Sequence, residues 1–112
     1  MNYSFNGIGE IVATFGAADG AAIAAGTPVK MSGNGTVTAC GEEDAFIGIC
    51  CGTRGGHAAV QLAGTAEVAY TGSLTAGSTI LVADGDGGVC AAEEGKAYLV
   101  LTAADGEAVI ML

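Results

Sequence analysis

The chain contains one histidine and four cysteines, and their chemistry decides whether a catalytic site is plausible. His57 is the only side chain that could act as a conventional general base for a serine or cysteine nucleophile, which would need it within hydrogen-bonding distance. Cys50 and Cys51 are near in sequence, but no spacing singles out a partner. We therefore interpret His57 as a surface or strand-edge residue and predict that the protein is not an enzyme.

The spacing of the cysteines does not fit a structural metal site. Cys40, Cys50, Cys51 and Cys90 form no Cys-x-x-Cys pair, whereas structural zinc sites use cysteines with two to four residues between them. Adjacent residues of a strand point to opposite faces, so Cys50 and Cys51 cannot readily bind one ion. We expect small buried free thiols, as is usual in a reducing compartment. A bridge between Cys40 and Cys90 is conceivable, without support from the spacing.

The acidic residues occur in short clusters that are typical of turns and loops. Residues 84–88 (DGDGG) begin like a calcium-binding loop, but positions five and twelve of that pattern, where ligands are required, are both glycine. Residues 42–44 have a counterpart at 93–94, which favours an exposed loop in a repeated position. The glycine-rich residues 52–56 lack the lysine and helix of a phosphate-binding loop. No catalytic, metal or cofactor site is predicted.

Composition restricts the classes of function further. The 112 residues are enough for one domain, and three basic residues against twelve acidic ones make nucleic-acid binding improbable. Only 13% of residues are charged and 20 are glycine, so we expect neighbouring subunits to cover part of the surface. We see no secretory signal and no run of about 18 apolar residues, so we expect synthesis in the cytoplasm and no membrane contact.

One sequence pattern occurs twice. Residues 25–32, 36–39 and 42–43 resemble residues 76–83, 88–91 and 93–94, at an offset of 51 that becomes 52 after a glycine-rich turn. Each copy predicts a strand, a tight turn and a second strand, with Val29 and Met31 facing Val37 and Ala39 in the first. Two similar hairpins in a small chain favour a closed or nearly closed β-structure.

The remaining segments also predict strands. In residues 8–15 alternation places Ile11, Ala13 and Phe15 on one face, and residues 45–51 are apolar on both faces. Residues 58–70 alternate strictly, which is long for one flat strand, so Gly64 is a plausible bend. Residues 98–102 and 108–112 flank another favoured turn pair.

We therefore predict an all-β fold of eight or nine strands, a small single-domain β-barrel or β-tulip with two duplicated hairpins. Residues 1–7 are assigned to an N-terminal arm and residues 8–112 to the β-barrel domain. Two segments are candidates for partner binding, because an arm can pair with a neighbour's sheet and a strand apolar on both faces needs cover on both. These candidate residues are Tyr3, Phe5, Val109, Ile110, Met111 and Leu112.

Several short motifs resemble a known family when they are taken in order. They are Ala-Gly-Thr-Pro-Val-Lys-Met at 25–31, Phe-Ile-Gly-Ile at 46–49, Val-Gln-Leu-Ala-Gly at 60–64, Ala-Gly-Ser-Thr-Ile-Leu at 76–81 and Gly-Gly-Val at 87–89. In this order the motifs resemble the small β-rich head decoration, or capsid cement, proteins of tailed bacteriophages. The resemblance covers roughly residues 8–103, and its short apolar motifs specify a fold better than a function.

The resemblance implies a virion protein made in the host bacterial cytoplasm. Its partners would be the major capsid protein, on the outer surface of the head, and further copies of itself, with a trimer favoured. A neck, tail or fibre protein with a similar barrel remains open. An alternative from another class is a carbohydrate-binding fibre or adhesin module, although three Tyr and three Phe offer few sugar platforms. A small enzyme would depend on His57.

Overall fold

The computed structural model describes residues 10–18 and 22–112, and the regular structure there is entirely β. The short turns and many β-branched residues of the sequence favour this outcome. The ten strands are β1 Ile11–Ala17, β2 Pro28–Gly33, β3 Thr36–Ala39, β4 Gly48–Arg54, β5 His57–Ala63, β6 Thr65–Ala69, β7 Gly77–Ala83, β8 Val89–Ala91, β9 Ala97–Ala104 and β10 Glu107–Met111.

The strands form two sheets of five. The first closes into a barrel in the order β1-β3-β2-β4-β5, in which β1 is parallel to β3 and antiparallel to β5. The second has the order β6-β10-β9-β7-β8, and one parallel bridge between Tyr70 and Val89 joins its two edges. The predicted all-β class with a small barrel is therefore confirmed.

The two sheets are copies of one five-stranded arrangement. When β1 to β5 are matched with β6 to β10, every strand neighbour corresponds, and the Tyr70–Val89 bridge corresponds to the Ala17–Val37 pair. Each copy also has a register shift in the penultimate strand, at Cys50/Gly52 in β4 and in the matching position of β9. The duplication extends well beyond the two hairpins that the sequence pattern predicts, and the strand register matches β2 with β7 at an offset of 52 rather than the predicted 51.

Backbone details confirm this equivalence. The β4–β5 turn has positive φ angles of 58° and 80° at Gly55 and Gly56, and the β9–β10 turn has 54° and 81° at Asp105 and Gly106. Two loop hydrogen bonds also recur in both halves. In the first pair, Ala17 N donates to Gly56 O (2.9 Å) and Tyr70 N donates to Gly106 O (3.0 Å). In the second pair, Cys40 N donates to Pro28 O (3.0 Å) and Ala92 N donates to Ile80 O (2.9 Å).

Each half encloses its own apolar core, and matching positions fill the two cores. The corresponding buried residues are Val29 and Leu81, Val37 and Val89, Cys50 and Val100, Ala58 and Ala108, and Val60 and Ile110. Phe46 and Ile49 precede or begin β4 but pack in the core of the second half. The Phe46 ring stacks on Tyr98, with centroids 4.9 Å apart, so the halves share apolar contacts.

The long alternating segment of the sequence joins the halves. It is divided at Gly64, which has a φ of 90°, into β5 of the first sheet and β6 of the second. The Gln61 side chain is 6% exposed and spans this break, because its Nε2 donates to Ala63 O (3.1 Å) and Thr65 O (2.6 Å). A buried amide therefore holds the bend that Gly64 permits.

Replacing Gln61 with methionine is expected to lower the free energy of unfolding by about 1–3 kcal/mol. The thioether has a similar length but donates no hydrogen bond to the two carbonyl oxygens, which stay away from water. Urea unfolding followed by circular dichroism measures the change. Glu94→Met, in an exposed loop, introduces the same side chain and is expected to change stability by less than about 0.5 kcal/mol. Equal losses in both variants would contradict the bracing role.

Several details differ from the sequence-based expectations. Ile11 was expected on the inner face with Phe15, but a bulge between Ile11 and Val12 turns it outward, and it is 58% exposed. Residues 45–47 precede β4 as irregular chain, because strand pairing begins only at Gly48. The described residues form ten strands rather than eight or nine. Residues 1–7, the predicted arm, lie outside the described residues.

Candidate functional site

His57 and Cys51 lie near each other but do not form a catalytic pair. His57 is exposed at the start of β5, opposite Arg54 across the turn, and lines a shallow cleft with Cys51. No hydrogen bond joins the thiol to the imidazole among the described residues. Partial burial and the neighbouring Cys50 raise the pKa of Cys51, which favours the neutral thiol over the nucleophilic thiolate.

The other cysteines are also free thiols. Cys90 is partly buried near the carboxylates of Asp84, Glu42 and Glu43, and both the burial and these charges raise its pKa. Burial raises the pKa of Cys40 to about 11, and the Asp44 carboxylate adds to this effect while Lys30 opposes it. Cys50 is buried, with its Sγ 3.7 Å from the carbonyl oxygen of Ile23. Such thiols behave as small apolar groups rather than as nucleophiles or metal ligands.

Asp84 forms the hydrogen-bonded turn that closes the second half. Its Oδ1 accepts from the backbone N–H groups of Asp86 (2.7 Å) and Gly88 (3.0 Å), and its Oδ2 accepts from the Thr71 hydroxyl (2.7 Å). Thr71 follows β6, so these bonds lie beside the parallel bridge that joins the sheet edges. Within residues 10–18 and 22–112, no three His, Cys, Asp or Glu side chains converge as a metal site.

Asp84 is expected to contribute to stability above about pH 4 and to lose that contribution as the solution is acidified. Burial raises the pKa of Asp84, but the hydrogen bonds from Thr71, Asp86 and Gly88 outweigh it and hold the pKa below the ordinary 3.8. The ionised form is therefore favoured by folding, and protonation below this range removes the benefit.

The measurement is the free energy of urea unfolding at pH 7 and pH 3 for the wild type and Asp84→Asn. The variant is expected to be less stable at pH 7 by about 1 kcal/mol and to lose less stability on acidification. Asp86→Asn, a substitution at an exposed side chain of the same turn, serves as the control. Parallel pH profiles for all three proteins would show that Asp84 has no such role.

The acidic loop at residues 42–44 connects the two halves instead of assembling paired carboxylates. Asp44 Oδ2 accepts hydrogen bonds from Lys30 Nζ (2.6 Å) and Gly41 N (2.8 Å), and both bonds lower the pKa of Asp44. The backbone of Glu43 donates to Ala83 O (2.9 Å), and Ala83 N donates to Asp44 O (2.9 Å). The loop therefore pairs with the end of β7.

The predicted partner-binding residues have different positions. Tyr3 and Phe5 lie outside the described residues. Val109 and Met111 are half-buried on the outer face of β10, and Leu112 is half-buried against the second core. Ile110 is 0% exposed within that core, so the chain itself covers the inner face of the strand. Of the predicted residues in β10, Val109 and Met111 therefore remain on the outer face, whereas Ile110 belongs to the core.

Apolar side chains lie on both sides of the junction at Gly64, and we call Ile11, Leu99 and Met111 together the apolar seam. Leu99 is 47% exposed and lies directly opposite Met111, whose other strand neighbour is Thr65. Ile11 pairs with Ala63 on the other side of Gly64. Period-2 alternation around the buried Tyr98 and Val100 could have revealed Leu99 from the sequence, whereas the exposure of Ile11 depends on a bulge.

The aromatic side chains of the described residues are not displayed on the surface. Phe46 and Tyr98 are buried in their stack, and the Tyr98 hydroxyl donates to Phe46 O (3.4 Å). Lys96 Nζ lies 5.0 Å from the centre of the Tyr98 ring. Phe15 and Tyr70 are half-buried. This part of the chain offers no flat aromatic platform of the kind on which sugars stack.

Together these features describe an internally duplicated all-β chain with a closed five-stranded barrel, in which the described residues form no group of His, Cys, Asp or Glu side chains that could hold a metal ion. No protein-family model matches the chain, and no curated protein matches it. None of the described residues belongs to a helix long and apolar enough to cross a membrane.

Proposed function

We propose that this protein is a structural component of a tailed bacteriophage or prophage, a head decoration protein that binds the outer capsid surface and stabilises the shell. The observation that carries the proposal is the exposure of large apolar side chains on a weakly charged β-surface. The exposed fractions are 58% for Ile11, 53% for Val12, 47% for Leu99, 44% for Met31 and 38% for Ile47. A neighbouring protein would remove such a surface from water.

The order of the sequence motifs supports the same proposal. The segments that resemble decoration proteins fall in the approach to β2, across the start of β4, in β5, and in β7 with the turn that follows it. They supply buried residues of both cores, such as Val29, Val60 and Leu81. The resemblance therefore involves the residues that define the fold.

A cement function requires geometry rather than catalysis. An oligomer makes several weak contacts at once, and a trimer is favoured here. Such an oligomer dissociates slowly, because the contacts that remain hold a released subunit close to its site. The major capsid protein is the partner in this proposal. The apolar seam is the capsid contact surface in this proposal. The net charge of −9 does not favour contact with DNA.

Copy number in purified virions tests the proposal directly. Quantitative mass spectrometry is expected to give a ratio near one chain per major capsid subunit. A handful of copies would instead indicate a vertex, neck or fibre protein, and complete absence from virions would refute a virion role. Binding on a glycan array together with absence from virions would favour the carbohydrate-binding alternative.

A rebinding assay tests the surface. Purified protein is added to heads that lack it, and the bound fraction is measured after sedimentation. Leu99→Ser is expected to weaken binding at least tenfold because it removes an exposed apolar contact. Ala97→Ser, an exposed position two residues earlier on the same strand, is the matched control and is expected to bind normally. Equal binding by both variants would exclude the seam as the contact.

A further inference from the structure

The internal duplication places a shallow cleft over equivalent strands of both halves, and in the second half the loop residues Ala25, Gly26 and Gly87 add to its lining. Each cleft lies on three neighbouring strands, β1-β5-β4 in the first half and β6-β10-β9 in the second. A row of three paired residues forms its floor. The rows are Thr14, Ala59 and Gly52 in the first cleft and Glu67, Val109 and Thr102 in the second.

A second row, beside the hairpin turn, carries one cation, Arg54, in the first cleft and one carboxylate, Glu107, in the second. In the first half, Arg54 and His57 face each other across the β4–β5 turn. In the second half, Ala104 and Glu107 occupy the same two positions, and Glu67 adds another carboxylate. We call these surfaces the basic cleft (Thr14, Gly52, Arg54, His57, Ala59) and the acidic cleft (Glu67, Thr102, Ala104, Glu107, Val109).

The charged groups of both clefts are available for contact. Arg54, His57, Glu67 and Glu107 are all exposed. No described carboxylate pairs with Arg54, whereas Lys30 is bound to Asp44. Arg54 is one of only three Lys or Arg residues in a chain of net charge −9, and it supplies the positive charge of the first cleft, in which the Glu10 carboxylate lies near Cys51.

The two clefts differ in size and are lined partly by small residues. Their volumes are about 390 Å³ for the basic cleft and about 610 Å³ for the acidic cleft. Gly52 and Ala59 are small residues of the basic cleft, and Thr102 and Ala104 are small residues of the acidic cleft. The charged side chains therefore extend further from the sheet than these neighbours do. Two copies with net charge −9 repel each other, so stable association requires local charge complementarity.

We propose that copies of this chain associate head to tail, with the basic cleft of one copy on the acidic cleft of the next. Arg54 and His57 then face the carboxylates of Glu67 and Glu107 from the neighbouring copy. Because two different surfaces meet, the contact is heterologous, and it produces a ring when the rotation between copies closes. The inference does not rest on the capsid role, since it is tested on the purified protein alone.

Sedimentation velocity over a concentration series tests this contact. The wild type is expected to form oligomers, and Arg54→Glu and Glu107→Arg are each expected to raise the dissociation constant at least tenfold. Glu107→Arg is the more informative variant, because it also reduces the net negative charge and with it the overall repulsion between copies. If overall repulsion governed association, this variant would associate more tightly, whereas the cleft contact predicts weaker association.

The double variant R54E/E107R restores complementarity with the signs of the clefts exchanged and leaves the net charge unchanged. It is expected to recover at least part of the wild-type association. Glu94→Arg, an exposed loop substitution outside both clefts, is the control for the change of net charge and is expected to keep the oligomer. Thermal unfolding verifies that each variant is folded.

Three outcomes would overturn the proposal. The first is a wild-type protein that remains monomeric up to millimolar concentration. The second is wild-type affinity in both single variants. The third is a double variant that associates no better than the weaker single variant, because a contact between opposite clefts requires recovery. Recovery on mixing the two single variants would support it further, since each then offers a complementary surface to the other.

Discussion

Gly48→Ala is expected to destabilise the protein by about 3 kcal/mol, among the largest effects of any conservative change. A Cβ atom at position 48 would lie 2.3 Å from the carbonyl oxygen of Gln61 and 2.8 Å from Cγ1 of Val60. The first of these atoms belongs to the backbone of β5 and the second to a side chain that is 0% exposed. Neither can move without disturbing the barrel closure or the first core.

Equilibrium unfolding in urea measures this effect, with Gly33→Ala as the matched control. Gly33 also lies in the first barrel, at the end of β2, but a Cβ there would meet no atom within 4 Å. Alanine at this position is expected to be neutral or slightly stabilising, because glycine has the higher entropy in the unfolded chain. Equal midpoints for both variants would show that β4 and β5 separate readily at Gly48.

Ile110→Ala is expected to lower the free energy of unfolding by about 4 kcal/mol. Ile110 is 0% exposed in the second core, and its truncation removes apolar contacts and leaves a cavity. Met111→Ala, at the half-buried adjacent position on the outer face of β10, is expected to cost only about 1 kcal/mol. Comparing these two variants therefore distinguishes the stability contributed by the inner face of β10 from that contributed by its outer face.

The duplication extends this prediction to the first half. Val60 occupies the position that matches Ile110 and is also 0% exposed, so Val60→Ala is expected to cost about 2 kcal/mol, less than Ile110→Ala because fewer atoms are removed. Chemical denaturation of all three variants provides the comparison. Unchanged stability in Ile110→Ala with lost capsid binding would mean that Ile110 acts as an outside contact and that the core assignment is wrong.

Local patterns in the sequence predict most of the strands and turns. Gly64 as a bend and the pairing of Val29 with Ala39 and of Met31 with Val37 are all present in the structure. These features depend on residues close in sequence, because alternation reports which face is buried and Gly, Asn and Asp supply the positive φ angles of tight turns.

The candidate surface is harder to predict because it depends on pairing between distant segments. The run at residues 109–112 reads as apolar on both faces, but the structure encloses Ile110 and leaves Val109 and Met111 outside. Ile11 becomes exposed through a bulge that no sequence signal marks. The apolar seam and the two clefts therefore emerge only when the strands are assembled.

The sequence by itself determined the all-β class, the repeated hairpins and the acidic net charge, since composition and short-range periodicity carry this information. Only the tertiary structure decided that the whole chain is duplicated, that β5 and β6 belong to different sheets, and that Arg54 and Glu107 occupy equivalent positions. The physical reason is that strand order and register arise from hydrogen bonds and core contacts between segments far apart in the chain. The alternation of neighbouring residues is the same whichever strand lies beside them.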